Sequence, residues 1–107
     1  MISRFDQNLI DQFKKNVARK ICVERFILFG SRARGDADPD SDMDILIITP
    51  DPLTSQIEDM ISDCAWEAGI REEVVIMPVI MSRHEWEDGP ERHSLLARAI
   101  RKEGVVV

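Results

Sequence analysis

The N-terminal part of the chain has apolar residues at helical spacing. Ser3 and Asp6 have the S-x-x-D spacing of a capping box, which predicts the start of a helix. The sequence therefore predicts an amphipathic helix over about residues 5–20. Its apolar face comprises Leu9, Ile10, Phe13, Val17 and Ile21.

Two later segments also have the pattern and the end signals of helices. In "DPLTSQIEDMISDCAWEAG" a proline follows Asp51 in the first turn and Gly69 marks the end. Farther on, Ser82 and Glu85 can cap a short turn, and Pro90 is predicted to open a last helix that ends at Gly104. The inner face of that helix is predicted to be Leu95, Leu96, Ala99 and Ile100.

Apolar runs between these helices have the composition of β-strands. "ERFILFG" (24–30) and "MDILIIT" (43–49) predict two buried strands. The run "EEVVIMPVIMS" (72–82) contains Pro78, which indicates an edge strand or a bulge because proline donates no ladder hydrogen bond. With "VVV" (105–107) as a candidate terminal strand, the order α-β-β-α-β-α predicts one α/β (α+β) domain, a small mixed β-sheet flanked by helices.

Length, charge and composition narrow the function classes. The 107 residues suffice for a single domain, and the net charge of −6 argues against bulk nucleic-acid binding. We expect a cytoplasmic protein without a membrane partner, because no apolar run approaches 20 residues and charges interrupt the N-terminus. Cys22 and Cys64 are expected to be buried reduced thiols, and the spacing of His84 and His93 does not suggest zinc.

Five aspartates at alternate positions, from Asp36 to Asp44, form the most unusual feature of the sequence. A calcium loop of the EF-hand type needs glycine at its sixth and glutamate at its twelfth position, and no starting point gives both. Gly35 and Pro39 make a single continuous strand improbable. We therefore expect Asp36, Asp38 and Asp40 to lie in a loop, and the last two aspartates to begin the second strand.

Asp42 and Asp44 are the candidate metal ligands. Residues i and i+2 of a strand project to the same side, about 6 to 7 Å apart along the chain. Mg²⁺, or Mn²⁺ in its place, takes carboxylate and phosphate oxygens, so this pair together with a nucleoside triphosphate would form a suitable site.

The segment "GSRARG" is a candidate phosphate cradle. Gly30 lets the backbone approach a ligand, and N–H groups at a strand-to-helix turn beside the Ser31 hydroxyl can bind an anion. Arg32 and Arg34 can add charge-assisted bonds, and a plain solvated role for either arginine stays open. Ser41 is a further candidate nucleotide-binding residue. The segment is not a P-loop, since it lacks the required lysine.

These residues resemble a known family. "FGSRARGDADPDSDMDILI" is similar to the signature of the minimal nucleotidyltransferases of the DNA polymerase β-like superfamily, in which Gly-Ser is followed after ten residues by Asp-x-Asp. The resemblance implies the polymerase β-like fold and transfer of a nucleotide, with ATP as the expected substrate. It also implies that Asp42 and Asp44 hold Mg²⁺ while Gly30 and Ser31 bind the β- and γ-phosphates.

The chain departs from the family pattern at one position. Many relatives carry a third carboxylate on the next strand, whereas both faces of residues 74–81 are apolar here. Glu73 is the remaining candidate ligand and Glu72 is a weaker one. A catalytically weak or inactive binding module is therefore an alternative to an active enzyme.

The acceptor is expected to be a protein. Small family members are often antitoxins of HEPN-type toxins, so the resemblance implies a HEPN-type partner that is bound or receives AMP. Trp66 and Trp86 could contribute to such an interface, although a tryptophan is more often a core or core-edge residue. Homo-oligomers stay open, and a small-molecule acceptor, as in antibiotic adenylyltransferases, is a third alternative.

Overall fold

A computed structural model describes residues 2–36 and 38–107, and its main elements follow the predicted order. The helices are α1 (Arg4–Ala18), α2 (Ser31–Arg34), α3 (Ser55–Ile70), α4 (Arg83–Asp88) and α5 (Leu95–Glu103), with a 3-10 turn at Pro90–His93. The strands are β1 (Arg25–Phe29), β2 (Met43–Thr49), β3 (Ile76–Ser82) and β4 (Val105–Val106). None of the helices in these residues has the length and apolar content to span a membrane.

The strands form one mixed sheet in the order β3-β2-β1-β4, which confirms the predicted small mixed sheet. β1 is antiparallel to β2 and to β4, whereas β2 and β3 are parallel and are joined through α3. Because β3 lies at the edge, Pro78 occupies the edge strand that its missing N–H requires. The C-terminal end of β1 and the N-terminal ends of β2 and β3 lie side by side at one end of the sheet.

Helices cover both faces of the sheet because the strand residues are apolar on both sides. On one face α1 and α3 pack against side chains that include Leu28, Ile45 and Ile47. On the other face α4 and α5 contribute Trp86, Ala97 and Ile100, which pack against a cluster of strand residues. That cluster comprises Ile27, Phe29, Leu46 and Ile48.

The last helix differs from its predicted form. The 3-10 turn takes up Pro90, and Ser94 then caps α5 by accepting a hydrogen bond from the N–H of Ala97 at 3.1 Å. Ala97 and Ile100 face the sheet, so the predicted inner face was wrong except for Ile100. Exposed positions on the helix are Leu95, Leu96 and Ala99.

Two smaller expectations also need correction, and the environments of the two tryptophans can be assigned. Cys22 is exposed in the connection after α1, whereas Cys64 is buried, and burial raises the pKa of its thiol. Gly69 does not end α3, which continues through Ile70. The two tryptophans have different environments, since Trp86 is buried between α4 and the sheet while Trp66 is exposed on α3.

Candidate functional site

The structure brings the Gly-Ser turn (Gly30 and Ser31) and the carboxylate pair (Asp42 and Asp44) together at this end of the sheet. β1 ends at Phe29, which pairs in register with Asp44 of β2, so Gly30 follows directly beside this aspartate. A Cβ atom added to Gly30 would lie 2.6 Å from Oδ2 of Asp44. The carboxylate therefore occupies the space of a side chain at position 30, and only glycine permits this approach.

The conformation of Gly30 reinforces that requirement. Its φ of 78° and ψ of −158° lie in a region that is essentially restricted to glycine. This conformation turns the chain from β1 directly into α2. The backbone geometry and the close carboxylate therefore depend on the same residue.

Asp42 and Asp44 directly precede and follow Met43, the first residue of β2. The alternation of a strand therefore predicts that both point away from the side chain of Met43. Met43 is fully buried against α1 and α3, so the two aspartates belong to the opposite face. Asp42 is exposed and Asp44 is half-buried. Burial, together with the nearby charge of Asp42, raises the pKa of Asp44.

Ser31 begins α2 next to this pair. The N–H groups of Ala33 and Arg34 donate to the carbonyl of Gly30 at 3.1 Å each. The N–H groups of Ser31 and Arg32 precede the first intrahelical bonds and are directed away from the carbonyls of α2. Gly30, Ser31 and Asp44 are therefore neighbours in the structure, as the sequence predicts.

The two arginines of the segment have different environments. Arg34 is exposed and forms ion pairs with Asp36 at 3.3 Å and with Glu103 of α5 at 3.1 Å. The hydrogen bond with Glu103, followed by the one with Asp36, raises the pKa of the Arg34 guanidinium. Arg34 therefore lies at the surface at the end of α2, and both of its described ion-pair partners are carboxylates.

Arg32 is buried and does not face the Gly-Ser turn. Its guanidinium donates to Oδ1 of Asp6 at 2.7 Å and to the carbonyls of Pro39 and Ser41. The sequence predicted either a phosphate contact or a solvated charge for Arg32, and it indicated only a role in a helix cap for Asp6. The N–H of Asp6 does donate to Ser3 Oγ, but its carboxylate binds Arg32, and no local pattern indicates a contact across 26 residues.

The aspartate loop divides as predicted. Asp36, Asp38 and Asp40 are exposed and lie outside the strands, and Asp42 directly precedes β2. The N–H of Ser41 donates to the carbonyl of Asp38 at 3.0 Å, and the carbonyl of Ser41 accepts from Arg32. Ser41 is half-buried, and its described contacts involve its backbone.

An apolar side chain lies beside Asp44 on the neighbouring strand, where the sequence offered no third carboxylate. The parallel register of β2 and β3 pairs Asp44 with Met77, whose side chain lies on the same face and is 46% exposed. No group of three or more acids, histidines or cysteines suited to a metal ion occurs within residues 2–36 and 38–107.

Glu73 takes part in the end of α3 rather than in the carboxylate pair. Its N–H donates to the carbonyl of Ile70 at 3.4 Å, and the N–H of Val74 donates to the carbonyl of Gly69 at 3.1 Å. These two bonds form a Schellman-type helix end, with Glu73 at the left-handed position, φ 56°. Glu73 and Met77 are an even number of residues apart, which within one strand would place their side chains on the same face. Because Glu73 lies in the turn before β3, this spacing does not place its side chain on the face of Met77.

Comparisons with known proteins agree with this geometry. The family described as "Nucleotidyltransferase domain" matches residues 9–105. A Methanocaldococcus jannaschii protein named "Putative protein adenylyltransferase MJ0141" is 35% identical over 77 residues, which cover 70% of this chain and 78% of the relative. The fold is similar to the crystal structure of "a putative nucleotidyltransferase from Sulfolobus solfataricus", with a TM-score of 0.53 and 24% identity over 92% of this chain and 76% of that one.

Proposed function

The chain belongs to the nucleotidyltransferase domain family, and from this premise we propose that it transfers AMP from ATP to a hydroxyl group of a protein. The contact between Gly30 and Asp44 carries the proposal, because it joins the phosphate-binding turn to the carboxylate pair. The relative that is named as a protein adenylyltransferase supports a protein acceptor. We place the reaction in the cytoplasm, where ATP is available.

The donor chemistry of the pair suits Mg²⁺ or Mn²⁺. Both ligands are hard carboxylate oxygens, and the burial and repulsion that raise the pKa of Asp44 would be offset by a cation. Asp42 and Asp44 would hold the ion together with phosphate oxygens of ATP. When bound, Mg²⁺ would neutralise charge on the triphosphate and orient its phosphates.

The other residues of the turn would bind and orient the nucleotide. The N–H groups and the hydroxyl at Ser31 would bind the phosphates beyond the reacting one, while Gly30 leaves room for them. Arg34 would contact a phosphate oxygen from the surface. In the reaction the acceptor oxygen forms a bond to the α-phosphorus, the bond from this phosphorus to the β-phosphate oxygen breaks, pyrophosphate leaves, and the acceptor proton passes to water.

A HEPN-type toxin is the partner that we propose, with this chain as its antitoxin. The test is to incubate the chain, ATP and Mg²⁺ with the product of the adjacent gene and to measure the intact mass of that product. We expect a gain of one AMP with wild type and with Asp40→Asn, and none with Asp42→Asn. An unchanged mass with wild type, or equal activity of Asp42→Asn, would exclude this catalytic proposal.

A binding module is the second candidate function, and two observations favour it. Met77, and not an acid, is paired with Asp44 on β3, which weakens the case for two-metal chemistry. In addition, exposed Trp66, Ile70 and Val75 line an apolar groove of about 450 Å³ beside the β3 edge. Exposed apolar surface of this kind is typical of sites for protein partners.

Two measurements separate binding from catalysis. If the chain acts only by binding, a variant with both Asp42→Asn and Asp44→Asn should neutralise the toxin as well as wild type, without any AMP transfer. If the groove binds the partner, Trp66→Ala should weaken the complex by about 2 kcal/mol or more, as for a buried aromatic anchor. Leu95→Ala is the matched control, since Leu95 is also exposed but lies on α5.

A further inference from the structure

A buried ion pair, that of Asp6 and Arg32, contacts the loop that precedes Asp42. Nη1 of Arg32 is 2.7 Å from Oδ1 of Asp6, and each residue is only 6% exposed. Desolvation of two charges opposes their attraction, so a buried ion pair is by itself weak evidence for stability. The remaining contacts of Arg32 indicate what this pair does.

Arg32 holds the backbone directly before Asp42. Its Nε and Nη2 atoms donate to the carbonyl of Ser41 at 3.1 and 2.6 Å, and Nη2 also donates to the carbonyl of Pro39 at 2.9 Å. The carbonyl of Ser41 belongs to the peptide group that leads into Asp42. The planar guanidinium of Arg32 therefore fixes the end of the loop at two carbonyls.

The backbone directly after Asp42 is also held. The N–H of Met43 donates to the carbonyl of Val75 at 2.9 Å, just before β3 begins. Both peptide groups that flank Asp42 therefore have fixed partners, one in the sheet and one on Arg32. Because the side chain of Asp42 is exposed, the direction of its carboxylate depends on this backbone.

We infer that Arg32 is a positioning residue that acts through the Ser41 carbonyl on Asp42, and that Asp6 fixes the orientation of Arg32. The inference rests on the proposed function, in which Asp42 and Asp44 hold the divalent ion. Asp6 is itself fixed, since its N–H donates to Ser3 Oγ at 3.0 Å in the first turn of α1. The start of α1 thus supports the metal ligand through two buried side chains.

The geometry distinguishes this role from phosphate binding. Arg32 is almost fully buried and its Nε, Nη1 and Nη2 atoms donate to Asp6 and to two backbone carbonyls, so these bonds would have to break before the guanidinium could bind a phosphate through them. A lysine at position 32 keeps the charge, but a single ammonium group cannot reproduce the planar fork. Arg32→Lys is therefore a suitable test of position rather than of charge.

The test compares Arg32→Lys and Asp6→Asn with the control Arg83→Lys. Arg83 also donates through Nε to a carboxylate, that of Glu24 at 2.7 Å, but it is exposed at the surface. The first measurement is amide hydrogen exchange of residues 41 and 43, and the second is the dissociation constant of Mn²⁺ with ATP. Both measurements are made well below the melting temperature of every variant, and circular dichroism is used to check that each variant is folded there.

We expect exchange at residues 41 and 43 to accelerate about tenfold or more in Arg32→Lys and Asp6→Asn, because their hydrogen bonds open more often. The dissociation constant should rise roughly 10- to 100-fold, as for other residues that orient metal ligands. A higher Mn²⁺ concentration should restore ATP binding, which a loss of global stability alone would not predict. Arg83→Lys should agree with wild type within about twofold.

Each contrary result has a definite meaning. If Arg32→Lys matches Arg83→Lys in amide exchange, Arg32 does not hold the loop and the inference is overturned. If exchange accelerates but the affinity for Mn²⁺ and ATP is unchanged, the connection to Asp42 is overturned. If wild type binds no Mn²⁺ with ATP, the proposed function fails, while faster exchange in Arg32→Lys would still support the hold on the loop.

Discussion

Replacing Gly30 by alanine should damage stability and nucleotide binding together. The new Cβ would lie 2.6 Å from Oδ2 of Asp44, so the carboxylate or the turn has to move. The backbone at this position, with φ 78° and ψ −158°, is also unfavourable for any residue that has a Cβ. Both effects act at the point where the turn proposed to bind phosphate meets the carboxylate pair.

Gly35→Ala provides the scale for the expected loss. Gly35 has a similar φ of 81°, but its ψ of 14° is left-handed helical, and a Cβ there would meet nothing within 4 Å. Left-handed alanine costs about 1–2 kcal/mol. The conformation of Gly30 costs up to about 3 kcal/mol, and displacement of Asp44 adds to that. We therefore expect Gly30→Ala to lose about 1–3 kcal/mol more than Gly35→Ala.

Urea unfolding and thermal melting measure this difference. For a domain of this size 1 kcal/mol corresponds to about 4–8 °C in melting temperature, so the two variants should be clearly resolved. Titration with Mn²⁺ and ATP should show weaker binding for Gly30→Ala only. Equal stability and equal affinity of the two alanine variants would refute the proposed contact between Gly30 and Asp44.

Three further predictions follow from the same site. Without divalent ions, Asp44→Asn should be more stable than wild type at neutral pH. The raised pKa of Asp44 means that the folded state binds more protons than the unfolded state above the ordinary value of 3.8. The contribution of Asp44 to wild-type stability should therefore fall as pH rises through this raised pKa, and urea unfolding at pH 3 to 7 should show the difference between wild type and Asp44→Asn vanish at the acid end. Met77→Asp should tighten Mn²⁺ binding about tenfold in calorimetry, because it adds a carboxylate beside Asp44. Glu73→Gly should raise the free energy of unfolding by about 1 kcal/mol, because glycine suits the left-handed position, and should leave Mn²⁺ binding unchanged.

Contrary outcomes would identify which part of the interpretation is wrong. A stability difference between wild type and Asp44→Asn that does not change with pH would mean that Asp44 is not desolvated. Unchanged Mn²⁺ affinity in Met77→Asp would show that position 77 does not face the pair. Loss of Mn²⁺ binding in Glu73→Gly would restore Glu73 as a metal ligand.

α2 and most of the inner face of α5 were not predicted, but the sequence by itself predicted the strands, α1, α3 and the two segments proposed to form the site. Local patterns suffice for these, because strand alternation places Asp42 and Asp44 on one side, and a glycine after an apolar run predicts a turn. For β3, Pro78 and its missing N–H left an edge strand or a bulge open, and the structure shows the edge position. The family resemblance depended on the same local segment.

Only the tertiary structure decided which distant residues meet. The antiparallel register of β1 and β2 places Asp44 beside Gly30, and the parallel register of β2 and β3 places Met77 beside Asp44. The ion pair of Asp6 and Arg32 joins α1 to α2 across 26 residues, and Arg32 also binds two carbonyls of the loop. Such contacts depend on strand order and helix packing, which periodicity along the chain does not encode, so a buried arginine and an exposed one look alike in "GSRARG".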